Sequence, residues 1–162
     1  MNQSKPVFKI VKSDEKVNTL NKYFVYPGQG VVRQILSTRE GYLKFEVLAN
    51  RMVILVPEKN SGVKLRPLIS IQEAAKVESI MMDQTLKSQQ NNWNRRHREF
   101  MEKLNSGNLK EIASVFAMIN NSKRTKELSF GEKKILQVCT QLIDIEFKTI
   151  NYHQEPLLTA AA

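Results

Sequence analysis

The hydrophobic pattern of this chain changes its period at about residue 70. Before that point, short apolar runs alternate with polar positions, and turn residues separate the runs. A period of two residues is typical of β-strands with one buried face. After that point, apolar residues recur at intervals of three and four positions, which is typical of amphipathic helices. The sequence therefore predicts a β-rich N-terminal part and a helical C-terminal part.

The β-rich part contains four clear strand patterns. A tight turn is predicted at Pro27-Gly28-Gln29-Gly30, and a second turn ends at Gly41. The run from Met52 to Val56 looks fully buried and is closed by Pro57. In the third strand the side chains expected to point inward are Leu43, Phe45, Val47 and Ala49. Four or five short antiparallel strands of this kind indicate a small SH3-like or Tudor-like barrel. The predicted strands are 23–26, 31–37, 42–49 and 52–56.

The helical part contains two capping-box patterns, Ser70 with Glu73 and Ser129 with Glu132. They predict a first helix from residue 70 to about Met82 and a long last helix after Ser129. Between them we predict a helix at about 92–106, with Gly107 at its C-terminal end, and another containing Leu109, Ile112, Ala113 and Phe116. Residues 83–92 and 120–127 are polar and are predicted to be loops. The last helix has an apolar stripe of Ile135, Leu136, Cys139, Leu142, Ile143 and Phe147.

The predicted fold class is therefore α+β, with an N-terminal Tudor/SH3-like antiparallel β-barrel followed by a compact α-helical bundle. We divide the chain into a polar N-terminal extension at 1–18, the β domain at 19–70 and the helical domain at 71–152. A frayed tail is expected from Tyr152 onward, with 153–162 outside the helical domain.

Composition limits the class of function. The chain has 25 Lys and Arg residues against 16 Asp and Glu residues, a formal net charge of +9. This sign favours a polyanionic partner such as nucleic acid. One cysteine, Cys139, excludes an intramolecular disulfide and favours a reducing compartment, and its place in an apolar stripe predicts a buried, inert thiol. Because no signal peptide or membrane span is recognisable, we expect a cytoplasmic protein without membrane contact.

Patterns for catalysis are missing from the sequence. His97 and His153 are far apart and have no partner at metal-ligand spacing. The segment Gly28-Gln29-Gly30 lacks the remaining residues of a phosphate-binding loop. We therefore expect no enzyme activity, no cofactor, no metal and no small-molecule substrate.

The most informative segment is Asn92-Trp93-Asn94-Arg95-Arg96-His97-Arg98, which places the only tryptophan in the first turn of a predicted helix. Two alternatives remain open for it: Trp93 could be a core residue, and the arginines could form a solvated helix face. A half-packed tryptophan with its edge exposed, flanked by arginines, suits insertion at a base step and contact with phosphates. Residues 91–134 contain 10 basic and 5 acidic residues.

The chain resembles the CarD/CdnL family of RNA-polymerase-binding transcription regulators over residues 23–150. The resemblance rests on five segments in this order and spacing: 25–31 (VYPGQGV), 70–73 (SIQE), 92–96 (NWNRR), 102–107 (EKLNSG) and 128–134 (LSFGEKK). By this resemblance, the N-terminal domain binds the RNA polymerase β subunit by β-augmentation, and the helical domain binds promoter DNA at the upstream edge of the transcription bubble.

The resemblance also implies roles for single residues. Trp93 is the wedge in the minor groove that hinders reannealing and stabilises the open complex. The residues expected to bind the DNA backbone are Arg95, Arg96, Arg98, Lys133 and Lys134. Arg39 matches a family arginine that contacts the polymerase. The family commonly has another arginine where this chain has Leu55, and Gly-Asp where it has Asn21-Lys22; Arg33 or Arg51 are the candidate substitutes on the polymerase side.

A second function remains open from charge alone. Residues 1–72 contain 12 basic and 5 acidic residues, whereas residues 73–162 contain 13 and 11. This distribution is also typical of a free-standing architectural DNA-binding protein that does not need the polymerase. Such a protein would bind any duplex in a strongly salt-dependent manner.

Overall fold

The N-terminal part is a four-stranded antiparallel sheet with strand order β1-β2-β3-β4. The computed structural model describes residues 22–59 and 62–152, so the predicted extension at 1–18 and tail at 153–162, including His153, lie outside the described residues. The sheet precedes four helices, which confirms the α+β class. The strands are β1 (Tyr23–Tyr26), β2 (Gly30–Ile35), β3 (Tyr42–Val47) and β4 (Val53–Pro57). The helices are α1 (Ile71–Met81), α2 (Trp93–Asn105), α3 (Leu109–Lys123) and α4 (Phe130–Thr149).

The sheet has its own small core of Val32, Phe45, Val47 and Val56, with Phe24 packed edge-on against the Phe45 ring. The alternation predicted for β3 is confirmed at Phe45 and Val47, but Ala49 lies beyond the strand and is exposed. After β4 the chain returns to the opposite edge of the sheet, where the backbone of Arg66 pairs with that of Val25 in β1.

Strand β4 differs from the prediction of a fully buried run. Only Val56 is buried; Val53 and Leu55 are 49% and 42% exposed, and Met52 precedes the strand and is also exposed. The reason is that one face of the sheet is open to solvent at β4, so alternate side chains of the strand are exposed. A continuous apolar run does not show whether both faces of a strand are covered.

The helix boundaries follow the predicted caps closely. Both capping boxes are present, with Ser70 bonded to Glu73 at the start of α1 and Ser129 to Glu132 at the start of α4. Helix α3, however, continues to Lys123, into the predicted loop. The side chain of Asn121 explains this extension. It donates hydrogen bonds to the carbonyls of Asp83 and Leu86, and these bonds connect the last turns of α3 to the loop after α1.

The larger core lies among the four helices and includes Cys139, which is fully buried as predicted. Burial raises the pKa of its thiol to about 12, so the thiolate is not populated at neutral pH. Tyr152, where fraying is expected to begin, is instead held against the helical part. Its ring packs edge-on against Phe147, and its hydroxyl donates to Glu78 of α1.

An ion pair joins the sheet to the helices. The guanidinium of Arg66 bonds both carboxylate oxygens of Glu146, at 2.8 and 2.9 Å, and its Nε donates to the carbonyl of Gly107. Glu146 is only 1% exposed and also accepts a hydrogen bond from the Ile69 amide. We call this cluster, Arg66, Glu146, Ile69 and Gly107, the joint. It connects the segment that follows the sheet to α4 and to the turn between α2 and α3.

The turn between β1 and β2 packs against the same side of the helical part. Gly28 and Gly30 both have positive φ angles, 81° and 84°, which glycine adopts without strain. A Cβ at Gly30 would lie 2.6 Å from the Leu142 side chain of α4, so this position has no space for a larger residue. The Pro-Gly-Gln-Gly segment therefore forms a tight turn, as predicted, and also a contact between the two parts of the chain.

Candidate nucleic-acid interface

Trp93 is the first residue of α2, and its side chain is partly buried against the helical core. Asn92 caps the helix, because its side-chain oxygen accepts hydrogen bonds from the amides of Asn94 and Arg95. The cap fixes where the helix begins and therefore where the indole ring points. Trp93 thus packs against the core, as the core-residue alternative expects, but its side chain is not fully buried.

The indole ring lies against the first turn of α4, at Gly131. A Cβ built on Gly131 would be 2.8 Å from Trp93 Cζ2, closer than real Cβ atoms approach. Glycine inside a helix costs about 1 kcal/mol relative to alanine, so its presence in α4 needs a packing reason. The Trp93 ring supplies that reason. The His97 ring lies 5.5 Å from the indole, centroid to centroid.

The side chain of Arg96 contacts both Glu132 of α4 and the Trp93 ring. Its Nη2 lies 3.3 Å from Oε1 of Glu132, and its guanidinium carbon is 5.4 Å from the centroid of the Trp93 ring. The side chain is 22% exposed. These contacts hold Arg96 against the indole and involve one of its guanidinium nitrogens, Nη2.

Glu132 is the residue that the sequence-based site left out. It is 2% exposed, accepts hydrogen bonds from Arg96 and from Lys126 Nζ at 2.9 Å, and completes the cap of α4 through the Ser129 amide. The capping box was visible in the sequence, but its partner Arg96 lies 36 residues away. Burial raises the pKa of Glu132, and the hydrogen bonds from Lys126 and Ser129 outweigh that effect, so the pKa is lowered overall.

We expect Glu132→Gln to lower the free energy of unfolding at neutral pH by about 2–3 kcal/mol, since the cations Arg96 and Lys126 lose a buried carboxylate. A lowered pKa stabilises the folded state above the unfolded-state value of 4.5, and this contribution is lost as the pH falls through the folded-state value. The difference between wild type and the variant should therefore narrow below about pH 4.5. Denaturant unfolding at a series of pH values measures this difference in the free energy of unfolding. A difference that stays constant with pH would contradict a lowered pKa of Glu132.

The other predicted DNA-binding cations do not share one face. Successive helical residues are about 100° apart, so Arg95 and Arg98 lie on the side of α2 opposite Trp93. Both are exposed. Lys133 and Lys134 are exposed on α4, and Lys133 Nζ lies 3.4 Å from the exposed carboxylate of Glu127. Lys134 follows Gly131 by three residues and so shares the helix face that meets the indole.

The predicted polymerase-binding arginines all lie in the β domain. Arg39 is exposed, and its guanidinium stacks over the Tyr42 ring at 4.1 Å. Arg33 and Arg51 both form ion pairs with Glu46. The hydrogen bond from Arg33, followed by that from Arg51, lowers the pKa of the Glu46 carboxyl. Glu46 offsets only one of these two positive charges, and the Arg51 side chain is 73% exposed; Arg39 also presents its charge to solvent.

The edge strand β4 lies beside these arginines. Arg33 is paired with Glu46 and Glu46 with Val53, so the three residues form a row across one face of the sheet. Leu55, two positions beyond Val53, lies on the same face. Within the described ranges, β4 pairs only with β3, which leaves its outer edge open to another strand.

The described residues contain no group of three or more His, Cys, Asp and Glu side chains that could hold a metal ion. A cavity of about 960 Å³ lies between the end of α3 and α4, but neither His97 nor Cys139 lines it. No helix in the described ranges is both long enough and apolar enough to span a bilayer.

Comparison with known families decides the affiliation of the chain. The model of the CarD C-terminal domain matches residues 76–156, which is half of the chain. The chain belongs to the CarD family. CarD proteins are transcription regulators that interact with RNA polymerase, and they are regulatory factors rather than enzymes. The matched residues include Trp93, Gly131 and Glu132, whereas the sheet with Arg39 and β4 lies outside the match.

Proposed function

We propose that this CarD-family protein stabilises the open promoter complex by holding Trp93 as a wedge in the minor groove at the upstream edge of the bubble. Its β domain, residues 19–70, binds the RNA polymerase β subunit, and its helical domain, residues 71–152, binds promoter DNA. The observation that carries this proposal is the partly buried indole of Trp93 in the first turn of α2, which packs on Gly131 and lies beside the His97 ring.

A fixed indole is well suited to this task. Inserting an apolar side chain at a base step costs a few kcal/mol of unstacking, and an ordered ring loses little further entropy on binding. Arg96 and Glu132 provide that order from within the protein. The exposed ammonium groups of Lys133 and Lys134 lie on the adjoining helix and would contact phosphates, with Arg95 and Arg98 reaching the backbone from the other side of α2.

On the polymerase side, the open edge of β4 supports β-augmentation, in which main-chain hydrogen bonds give affinity and side chains give specificity. The exposed Val53 and Leu55 beside this edge would supply apolar contact where relatives commonly have an arginine. Arg39 is the favoured polar contact, since Arg33 and Arg51 are already paired with Glu46. The joint would then hold Trp93 at a set distance from the docked sheet.

The test is a two-part binding experiment with the full-length protein. Co-purification with RNA polymerase, and a longer lifetime of polymerase–promoter complexes challenged with competitor DNA, are the expected results. Tight, strongly salt-dependent binding to bare duplex, without polymerase binding, would instead indicate the free-standing architectural DNA-binding protein. Failure to bind the polymerase would overturn the proposal.

A further inference from the structure

Phe130 is the most exposed large hydrophobic side chain in the described part of the chain. It is 84% exposed, although it lies in the first turn of a twenty-residue helix. No local role explains it: Ser129 and Glu132 form the cap of α4 without it, and it precedes Cys139 by nine residues, which places it on the side of α4 opposite the core. Alanine would be the better helix former at this position.

The position of Phe130 relative to Trp93 is set by Gly131. The Trp93 ring packs on Gly131, so the Cα of Phe130 lies no more than about 8 Å from Cζ2 of the indole. Nucleotides along one DNA strand are about 3.4 Å apart. The two aromatic side chains would therefore reach positions only a few nucleotides apart on a strand held at the tip of α2.

The neighbours of Phe130 define what it fits. Lys133 and Lys134 follow it by three and four residues, so both lie on the helix face that presents the ring. Both lysines are exposed. Lys133 also pairs with the exposed carboxylate of Glu127, which a phosphate would have to replace. A planar apolar ring beside two ammonium groups matches a nucleic-acid strand, where bases stack and phosphates pair with cations. An apolar protein pocket fits poorly, because it would have to desolvate both charges.

We infer that Phe130 is a second DNA-contacting aromatic, which stacks on an unpaired base next to the step held by Trp93. This inference rests on the proposed function, because it needs the strands to be separated near the tip of α2. Trp93 keeps the strands apart, and Phe130 captures a base that this separation exposes. Lys133 and Lys134 bind the phosphates on either side of that base.

The experiment compares Phe130→Ala, Phe130→Leu and Phe130→Trp with Trp93→Ala in complexes of the full-length protein, RNA polymerase holoenzyme and promoter DNA. Met82→Ala is the matched control, since Met82 is also an exposed apolar residue of the helical domain, 56% exposed. We expect Phe130→Ala and Phe130→Leu to shorten the lifetime of the open complex by about five- to tenfold, as loss of base stacking implies. Phe130→Trp and Met82→Ala should match wild type. The thermal unfolding temperature of the three Phe130 variants and of Met82→Ala should be unchanged.

The possible outcomes separate this inference from the proposed function. If Phe130→Ala matches wild type while Trp93→Ala is defective, the second contact is wrong and the wedge stands. If both variants match wild type, the proposed function fails as well. If Phe130→Ala weakens binding to polymerase in the absence of DNA, the ring contacts protein and the inference is overturned. Phe130→Leu acting like wild type would also contradict it, because stacking needs an aromatic ring.

Discussion

Replacing Arg66 by methionine should lower the free energy of unfolding by about 3–5 kcal/mol, because the Glu146 carboxylate would stay buried without its cation. Glu146 is 1% exposed, and both of its oxygens bond the guanidinium of Arg66. Only the amide of Ile69 would remain as a partner. Urea unfolding at neutral pH, followed by circular dichroism, measures the loss.

Two further variants show whether burial is the cause. The double variant Arg66→Met with Glu146→Met should recover much of the lost stability, since no charge is left buried. Lys148→Met removes an exposed ion pair with Asp144 and should cost less than about 1 kcal/mol. If Arg66→Met were no more harmful than Lys148→Met, the joint would not be what connects the sheet to the helices.

Trp93→Ala should shorten the lifetime of the open promoter complex about tenfold, which corresponds to about 1.4 kcal/mol. The loss follows from removing the wedge, while polymerase binding through the sheet should persist. Lifetimes are measured by adding competitor DNA to preformed complexes, and polymerase binding by co-purification of the same variant. A variant that prolongs the open complex as wild type does would refute the wedge.

Gly131→Ala tests the position of the ring rather than its presence. The added Cβ forces the indole to move, so we expect a smaller loss, about two- to threefold in lifetime, with a change in stability below about 1 kcal/mol. Trp93 is the only tryptophan, so its fluorescence reports the displacement directly. An unchanged emission spectrum together with an unchanged lifetime would show that the contact with Gly131 does not position the ring.

Sequence patterns predicted the local features of this fold well, because they depend on neighbouring residues. Both capping boxes and the tight turn at residues 27–30 are formed by residues within a few positions of each other. Such features are determined by short-range geometry and need no knowledge of tertiary structure.

The features missed by the sequence analysis all join distant segments. Arg96 meets Glu132 across 36 residues, and Arg66 meets Glu146 across 80. In the sequence, Arg96 is one basic residue among three and Glu132 is a capping residue, so neither pattern reveals a buried pair. The burial predicted for β4 is wrong for a related reason: whether both faces of an apolar strand are covered depends on the rest of the fold, which a single run does not contain.

The burial of Cys139 makes the molecule convenient for spectroscopy. Its thiol stays protonated and enclosed, so maleimide dyes should leave the wild-type chain unlabelled under native conditions. A single new thiol at an exposed site, such as Met82→Cys, would then carry one fluorophore at a known place. Energy transfer from that fluorophore to a labelled promoter could follow the approach of the helical domain to DNA in real time.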